Sequence, residues 1–320
     1  MNIRNILKKS FLTRNMYSYA ANYRKQKIRD NNFSFKGEFR DRSRHKDKMC
    51  MVLAGYKEFL YPVIFKRLKA YAPEDIDICI ISSGKFSKTL DDICNENNWS
   101  YLSTEENNVS LVQNVAINLH PNAKYIYKLD EDIFITEGFF ENLYCTMEQA
   151  KGEKVNPGFI APLIPINGYG HVRILEKLGK VNEYEKKFGK LKMTAGPTSQ
   201  IESNPEVAKY FWGEGGLIPK IDEMNRIFSS ETNDYRLCAV RFSIGAILME
   251  RDLWEKMGAF RVYRSGAHMG RDEAQICTYC MMEFRPMIVS ENCVVGHLSF
   301  GGQNASMKDY FENNISQFDI

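Results

Sequence analysis

The chain has 320 residues, of which 44% are hydrophobic and 26% charged, a composition that suits a soluble globular protein able to bury one large core or two small ones. The formal charge of +3 is unevenly spread: residues 1–48 hold 14 Lys and Arg against 4 Asp and Glu, a net of +10, which leaves −7 for the rest. No apolar run approaches the roughly 20 residues of a spanning helix or the core of a secretory signal, so the protein is expected in the cytoplasm, where eight scattered cysteines would stay reduced.

Residues 1–30 place Ile3, Ile6, Leu7 and Phe11 on one helical face, with Arg4, Lys8, Lys9 and Arg14 largely around the other. Such a basic amphipathic helix can lie on an anionic membrane surface, peripheral on the inner face of the cytoplasmic membrane, or dock on protein; no nucleic-acid motif accompanies it. Residues 31–48 read as a polar linker. From Met49 the pattern alternates: a strand in "MCMVLAGY", a helix in "KEFLYPVIFKRLKAYAP", a strand in "IDICIISSG", helices in "KTLDDICNENN" and "VSLVQNVAINLH", then the strand "YIYKLDEDIFIT". This alternation predicts βαβ crossovers and a mostly parallel sheet, an α/β fold whose ligands bind at the carboxyl ends of the strands. Beyond it come a helix over "EGFFENLYCTMEQAKGE", a strand in "PGFIAPLIPING", and a loop-rich stretch at 168–235 with the character of a binding wall. A strand and short helix follow in "RFSIGAILMERDLWEKMGAF", then a helix in "GRDEAQICTYCMMEF" and a strand carrying His297 in "RPMIVSENCVVGHLSFGG". The CxxC of Cys277 and Cys280 has no second pair to complete a zinc site.

Asp130, Glu131 and Asp132 interrupt an apolar strand, and adjacent carboxylates there need water, a cation or donors to answer them. Asp130 and Asp132, two residues apart at a strand end, can reach one crevice, and hard oxygen ligands suit Mg²⁺ or Mn²⁺; Glu131, by alternation, faces the other way as a solvated or packed neighbour. Asp272 and Glu273 open a helix, where a carboxylate either caps the amide dipoles or serves as a general base. Trp212 is either a stacking platform for a sugar or a buried anchor for its loop.

Taken in order, "MVLAGY", "NNVSLVQNVAINLHPNAKYIYKLDEDIFIT", "IGAILMERDLWEKMGAF", "RDEAQI" and "VVGHLSF" resemble the GT-A glycosyltransferases, particularly the family 2-like bacterial enzymes that build capsular and lipopolysaccharide glycans. The resemblance implies a GT-A domain over 49–303, with a nucleotide-sugar half at 49–150 and an acceptor half at 151–303, preceded by the basic extension 1–48 and followed by a tail at 304–320. It implies donor contacts at Ala54, Gly55, Tyr56, Ser82, Ser83, Asn114 and Asp130, and acceptor contacts at Gly245 and Ala246 beside Trp212. Asp130, Asp132 and His297 would hold Mn²⁺ or Mg²⁺, and Glu273, with Asp272 next to it, would be the base. In the family the second strand usually ends in acidic residues, whereas Ser82 and Ser83 stand there in this chain.

The function so implied is transfer of a hexose or N-acetylhexosamine from a nucleotide sugar, a UDP-sugar foremost, to a glycan or lipid-linked acceptor, with inversion, in surface polysaccharide synthesis. Two other classes are a metal-dependent nucleotidyltransferase or phosphohydrolase, and a non-catalytic membrane-associated scaffold. The first lacks a glycine-rich phosphate loop, since "LAGYKEF" holds only Gly55.

Overall fold

The computed structural model describes residues 30–196, 198–230, 234–264 and 270–320, with Tyr19, Ala20, Tyr23 and Gln26 as isolated positions. The amphipathic pattern expected over 1–30 therefore falls almost wholly outside the described residues.

The strands are β1 (Gly37–Arg40), β2 (Lys48–Leu53), β3 (Ile76–Ser83), β4 (Ser100–Thr104), β5 (Tyr125–Asp130), β6 (Ile133–Phe134), β7 (Phe159–Leu163), β8 (Tyr235–Cys238), β9 (Ala246–Glu250), β10 (Met287–Val294) and β11 (Gly296–His297). Nine of them form one sheet in the order β1-β4-β3-β2-β5-β9-β7-β10-β8, while β6 and β11 pair separately. Six strands of the large sheet point one way, and β1, β8 and β9 run against them. The expected α/β fold with a mostly parallel central sheet is thus observed.

The helices are α1 (Tyr61–Tyr71), α2 (Lys88–Asn97), α3 (Val109–Leu119), α4 (Phe139–Gly152), α5 (Gly170–Lys177), α6 (Val181–Phe188), α7 (Gln200–Ser203), α8 (Pro205–Phe211), α9 (Ile221–Ser229), α10 (Arg251–Met257), α11 (Arg271–Met282) and α12 (Asn304–Asn313). Among the described residues no helix is long and apolar enough to cross a membrane. Flanking helices account for the burial of all eight residues of β3, whose apolar run Ile78–Ile81 lies between the polar Asp77 and Ser82.

Two expectations about the chain ends are corrected. Residues 37–40, read as linker, form edge strand β1, with Glu38 opposite Ser103 of β4. Asp77 of β3 holds the segment behind it by accepting the backbone N–H groups of Arg44 and Lys46, each at 2.8 Å. Side-chain-to-backbone bonds of this kind leave no hydrophobic period to read.

Residues 304–320, expected as a tail after the domain, pack onto it. After α12 the chain makes a 3₁₀ turn and buries Phe318 against Trp212, Phe311 and Phe134, at centroid distances of 4.4, 4.9 and 5.4 Å. The Phe318 carbonyl accepts two bonds from the buried Arg67 guanidinium, at 2.8 and 2.7 Å, and Arg67 also grips Asp222 bidentately. Because Phe134 lies two residues past Asp132, the chain end braces the strand that carries the acidic cluster. Phe318→Ala is expected to lower the unfolding free energy by about 3–5 kcal/mol in urea titration. Met282→Ala, at a side chain 73% exposed, should stay within about 0.5 kcal/mol of wild type.

Candidate active site

The sheet order reverses at β2. From β2 the chain builds outward through β3 and β4, and then places β5 on the opposite flank of β2, with Leu53 opposite Asp130. A crevice opens at the carboxyl ends of such strands, and this one is bounded by the loop Ala54–Lys57 and by Asp130–Asp132.

Each of the three carboxylates is answered differently. Asp130 Oδ1 takes the ammonium of Lys128 at 2.5 Å; Lys128 is buried in the same strand two residues earlier, and so on the same face. Burial in the crevice pushes the Asp130 carboxyl above its ordinary range, and Lys128 offsets this only in part. Glu131 is packed and accepts the N–H groups of Gly55 at 2.8 Å and Tyr56 at 3.1 Å, with the Tyr61 hydroxyl donating at 3.4 Å. Burial still raises its pKa against those donors. Gly55 has φ +138°, which an L side chain rarely adopts, and that turn aims its N–H at the carboxylate.

Asp132 Oδ2 receives the Lys57 ammonium and lies 3.4 Å from His297 Nε2. The histidine arrives there because β11 pairs antiparallel with β6, His297 opposite Ile133, and the Leu298 N–H donates to the Asp132 carbonyl at 3.0 Å. Burial opposes ionisation of Asp132, but His297 and Lys57 outweigh it and hold the carboxyl well below the ordinary range. Burial likewise disfavours the His297 imidazolium, and Asp132 overrides it and raises the pKa.

Asp132 and His297 fit a divalent cation in part. His297 Nδ1 lies 3.1 Å from the Ile166 carbonyl; with Nδ1 donating there, the neutral ring would present Nε2 to a cation on the Asp132 side, as a metal-binding histidine requires. Two ligands bonded at about 2.1 Å to one cation stand about 3.0–3.4 Å apart. Among the described residues no group of three or more acidic, His or Cys side chains forms a complete cage. Mg²⁺-type sites often need none, since one or two carboxylates hold the ion and substrate phosphates complete it. Asp130, expected as a third ligand, is instead engaged by Lys128.

The helix-opening pair divides. Asp272 is buried and accepts from Gln113 Nε2 at 2.9 Å, close enough to Asp130 for their charges to act on each other. Glu273 is paired with the largely exposed Arg241 and forms part of the wall of a cavity of about 600 Å³, together with Asn167, Tyr169, Thr194, Ser243 and Phe300. The cavity adjoins the crevice at two points. Phe300 stands edge-on to the His297 ring at 4.7 Å, and a Cβ at Gly245 would lie 3.7 Å from Ser243 Oγ and 3.4 Å from Asp130 Oδ2. Much of its wall comes from the loop-rich stretch 168–235.

Several expected contacts sit elsewhere. Asn114 is fully buried, binding Trp254 Nε1 and both backbone groups of Phe260, so it ties α3 to the segment after α10 and has nothing left for a donor. Trp212 is 2% exposed and stacked among Phe134 and Phe318, so neither ring face is open to a sugar. Ala246 is buried inside β9 opposite Leu129 and cannot touch an acceptor. Ser82 Oγ is used by the Lys85 carbonyl and the Tyr101 hydroxyl, and Ser83 Oγ bonds Asn107. Ala54 is buried, its N–H given to the Ile81 carbonyl. Tyr56 keeps an exposed ring, crossed by the Lys85 ammonium at 4.8 Å.

Lys57, Lys128 and Arg241 were not anticipated. Alternation could have found Lys128, but nothing in the local pattern marks the other two.

No protein-family model matches the chain, and no curated protein matches it. Among solved structures it is similar to the mannosyltransferase PcManGT from Pyrobaculum calidifontis in complex with GDP-Man and Mn²⁺. The TM-score is 0.47 and the identity 12%, over 92% of this chain and 70% of that one. A likeness at that score is too loose to carry residue roles between the two proteins.

The β6–β11 pairing has a steric requirement. A Cβ at Gly296 would stand 2.3 Å from Trp212 Cη2 and 3.1 Å from Phe134 Cβ. Gly296→Ala is therefore expected to cost about 1–3 kcal/mol of stability by urea unfolding, as the indole or the β11 backbone shifts.

Proposed function

We propose that this chain is a metal-assisted glycosyltransferase that takes a sugar from a nucleotide-sugar donor to a hydroxyl of a glycan or lipid-linked acceptor. The observation that carries the reading is the meeting of Asp132, His297 and Lys57 at the sheet's switch point, beside a roomy cavity with its own carboxylate, Glu273. A diphosphate needs positive charge where its leaving oxygen develops negative charge, and an acceptor needs space and a base. The two requirements fall on adjoining parts of one cleft.

In this reading Asp132 and His297 hold the cation, and Lys57 and Lys128 add positive charge at the same mouth. The exposed ring of Tyr56 offers a surface for the base or ribose. A bound Mn²⁺ or Mg²⁺ would neutralise charge on the departing nucleoside diphosphate. The acceptor occupies the cavity lined by Tyr169, Thr194 and Ser243. Glu273, released from Arg241, takes the proton of the acceptor hydroxyl. The hydroxyl oxygen then bonds to the anomeric carbon while the bond from that carbon to the diphosphate breaks, its electron pair leaving with the nucleoside diphosphate. Attack from the face opposite the leaving group inverts the configuration. The Arg241 side of the ion pair is largely exposed, so an incoming acceptor can displace the guanidinium from Glu273. Asp272, sequestered by Gln113, orients the helix start. A UDP-sugar donor, a role in surface polysaccharide synthesis and membrane contact through residues 1–30 belong to the same proposal.

Glu273→Gln is expected to lower kcat by about 10²–10⁴ with little change in KM, measured with a donor found by thermal-shift screening of nucleotide sugars with Mn²⁺. Asp132→Ala should keep the fold, by circular dichroism, and lose metal-dependent nucleotide binding. Full transfer by either variant would overturn the reading.

A further inference from the structure

The ammonium of Lys57 and a prospective cation compete for a single atom. Lys57 Nζ rests on Asp132 Oδ2, the oxygen that also faces His297 Nε2. A divalent cation shared by Asp132 and His297 cannot enter while that ammonium stays, because the two would sit within one ionic contact of each other and repel strongly.

The other lysine in the crevice makes an instructive contrast. Lys128 is locked on Asp130, its side chain 4% exposed within β5. Lys57 comes from a loop, and its side chain is 23% exposed. The backbone beneath it is fixed, since Glu131 holds the N–H groups of Gly55 and Tyr56. The stem is anchored, and four methylenes separate it from the ammonium, so the charge can relocate without the backbone moving.

We propose that Lys57 is a resident counter-ion that keeps the Asp132–His297 site closed to metal until a diphosphate arrives. This rests on the transferase reading above. The diphosphate gives Lys57 a second anionic partner, draws the ammonium off Asp132 and supplies oxygen ligands to the incoming cation. Metal and nucleotide then bind with positive coupling, and each raises the affinity of the other by the same factor. Lys57 is a positioning residue in this scheme, and its effect is read on metal affinity rather than on turnover.

The test titrates Mn²⁺ into the full chain, reading free Mn²⁺ by electron paramagnetic resonance, with and without UDP or GDP. Wild type is expected to bind Mn²⁺ weakly alone and at least tenfold more tightly with the matching nucleotide. Lys57→Met should bind Mn²⁺ alone at least tenfold more tightly than wild type and lose most of the coupling. Lys57→Arg, which keeps the charge, should stay as weak as wild type. Thermal melts with Mn²⁺ guard against a folding artefact: the metal should raise the Tm of Lys57→Met more than that of wild type.

Equal Mn²⁺ affinity in wild type and Lys57→Met, including no measurable binding by either, would overturn the proposal, as would Lys57→Arg matching the gain of Lys57→Met. The transferase reading fails differently. In that case no nucleotide would bind any form of the protein, while the Mn²⁺ gain of Lys57→Met would persist.

Discussion

Three consecutive carboxylates ending a buried strand must each find positive charge or donors, and the rest of the cleft is arranged around that requirement. Asp130 is served from its own strand by Lys128, Glu131 by the amides of the preceding loop, and Asp132 from the loop by Lys57 and from the far end of the chain by His297. Like charges on neighbouring residues would otherwise raise one another's pKa values and empty the site of charge. Serving them from separate directions keeps Asp132 ionised despite its burial, with its pKa held well below the ordinary range.

The central residue of the three is the least chemical and the most structural. Glu131 fixes the loop that carries Tyr56 and Lys57, so the positions of a prospective base-binding ring and of a mobile ammonium both derive from one buried carboxylate. The brace from the other side is apolar: Phe318, pinned through its carbonyl by Arg67, packs on Phe134 just beyond Asp132. Crevice and chain end are thus parts of one packing problem, although they lie almost 190 residues apart.

Much of this was legible in the sequence, and the part that was not has a physical reason. The strand and helix pattern from Met49 to Asp132 follows from hydrophobic period, which local packing obeys. The short strands β1, β4 and β8 carry too few residues for a period to emerge, and the segment after β1 is held by Asp77 through the backbone N–H groups of Arg44 and Lys46. Asp132 and His297 were named from motif order, and the structure brings them together through β6 and β11. Asn114 and Ala246, expected at the substrates because they stand inside motifs, are consumed by the core, and Trp212 takes the second of its two readings, a buried anchor, because burial partners far along the chain leave no mark near a motif. Lys57 was missed because a lysine in a loop gives no sign of the carboxylate it will meet 75 residues later.

The central claim is that Asp132 and His297 share a cation beneath a nucleotide diphosphate. A crystal grown with Mn²⁺ and a nucleoside diphosphate, measured for anomalous scattering at the manganese edge, tests it most directly. The account predicts one strong peak bonded to Asp132 Oδ2 and His297 Nε2, with Lys57 turned from Asp132 to the phosphates. A nucleotide bound in the crevice without a peak there, Lys57 still resting on Asp132, would contradict it.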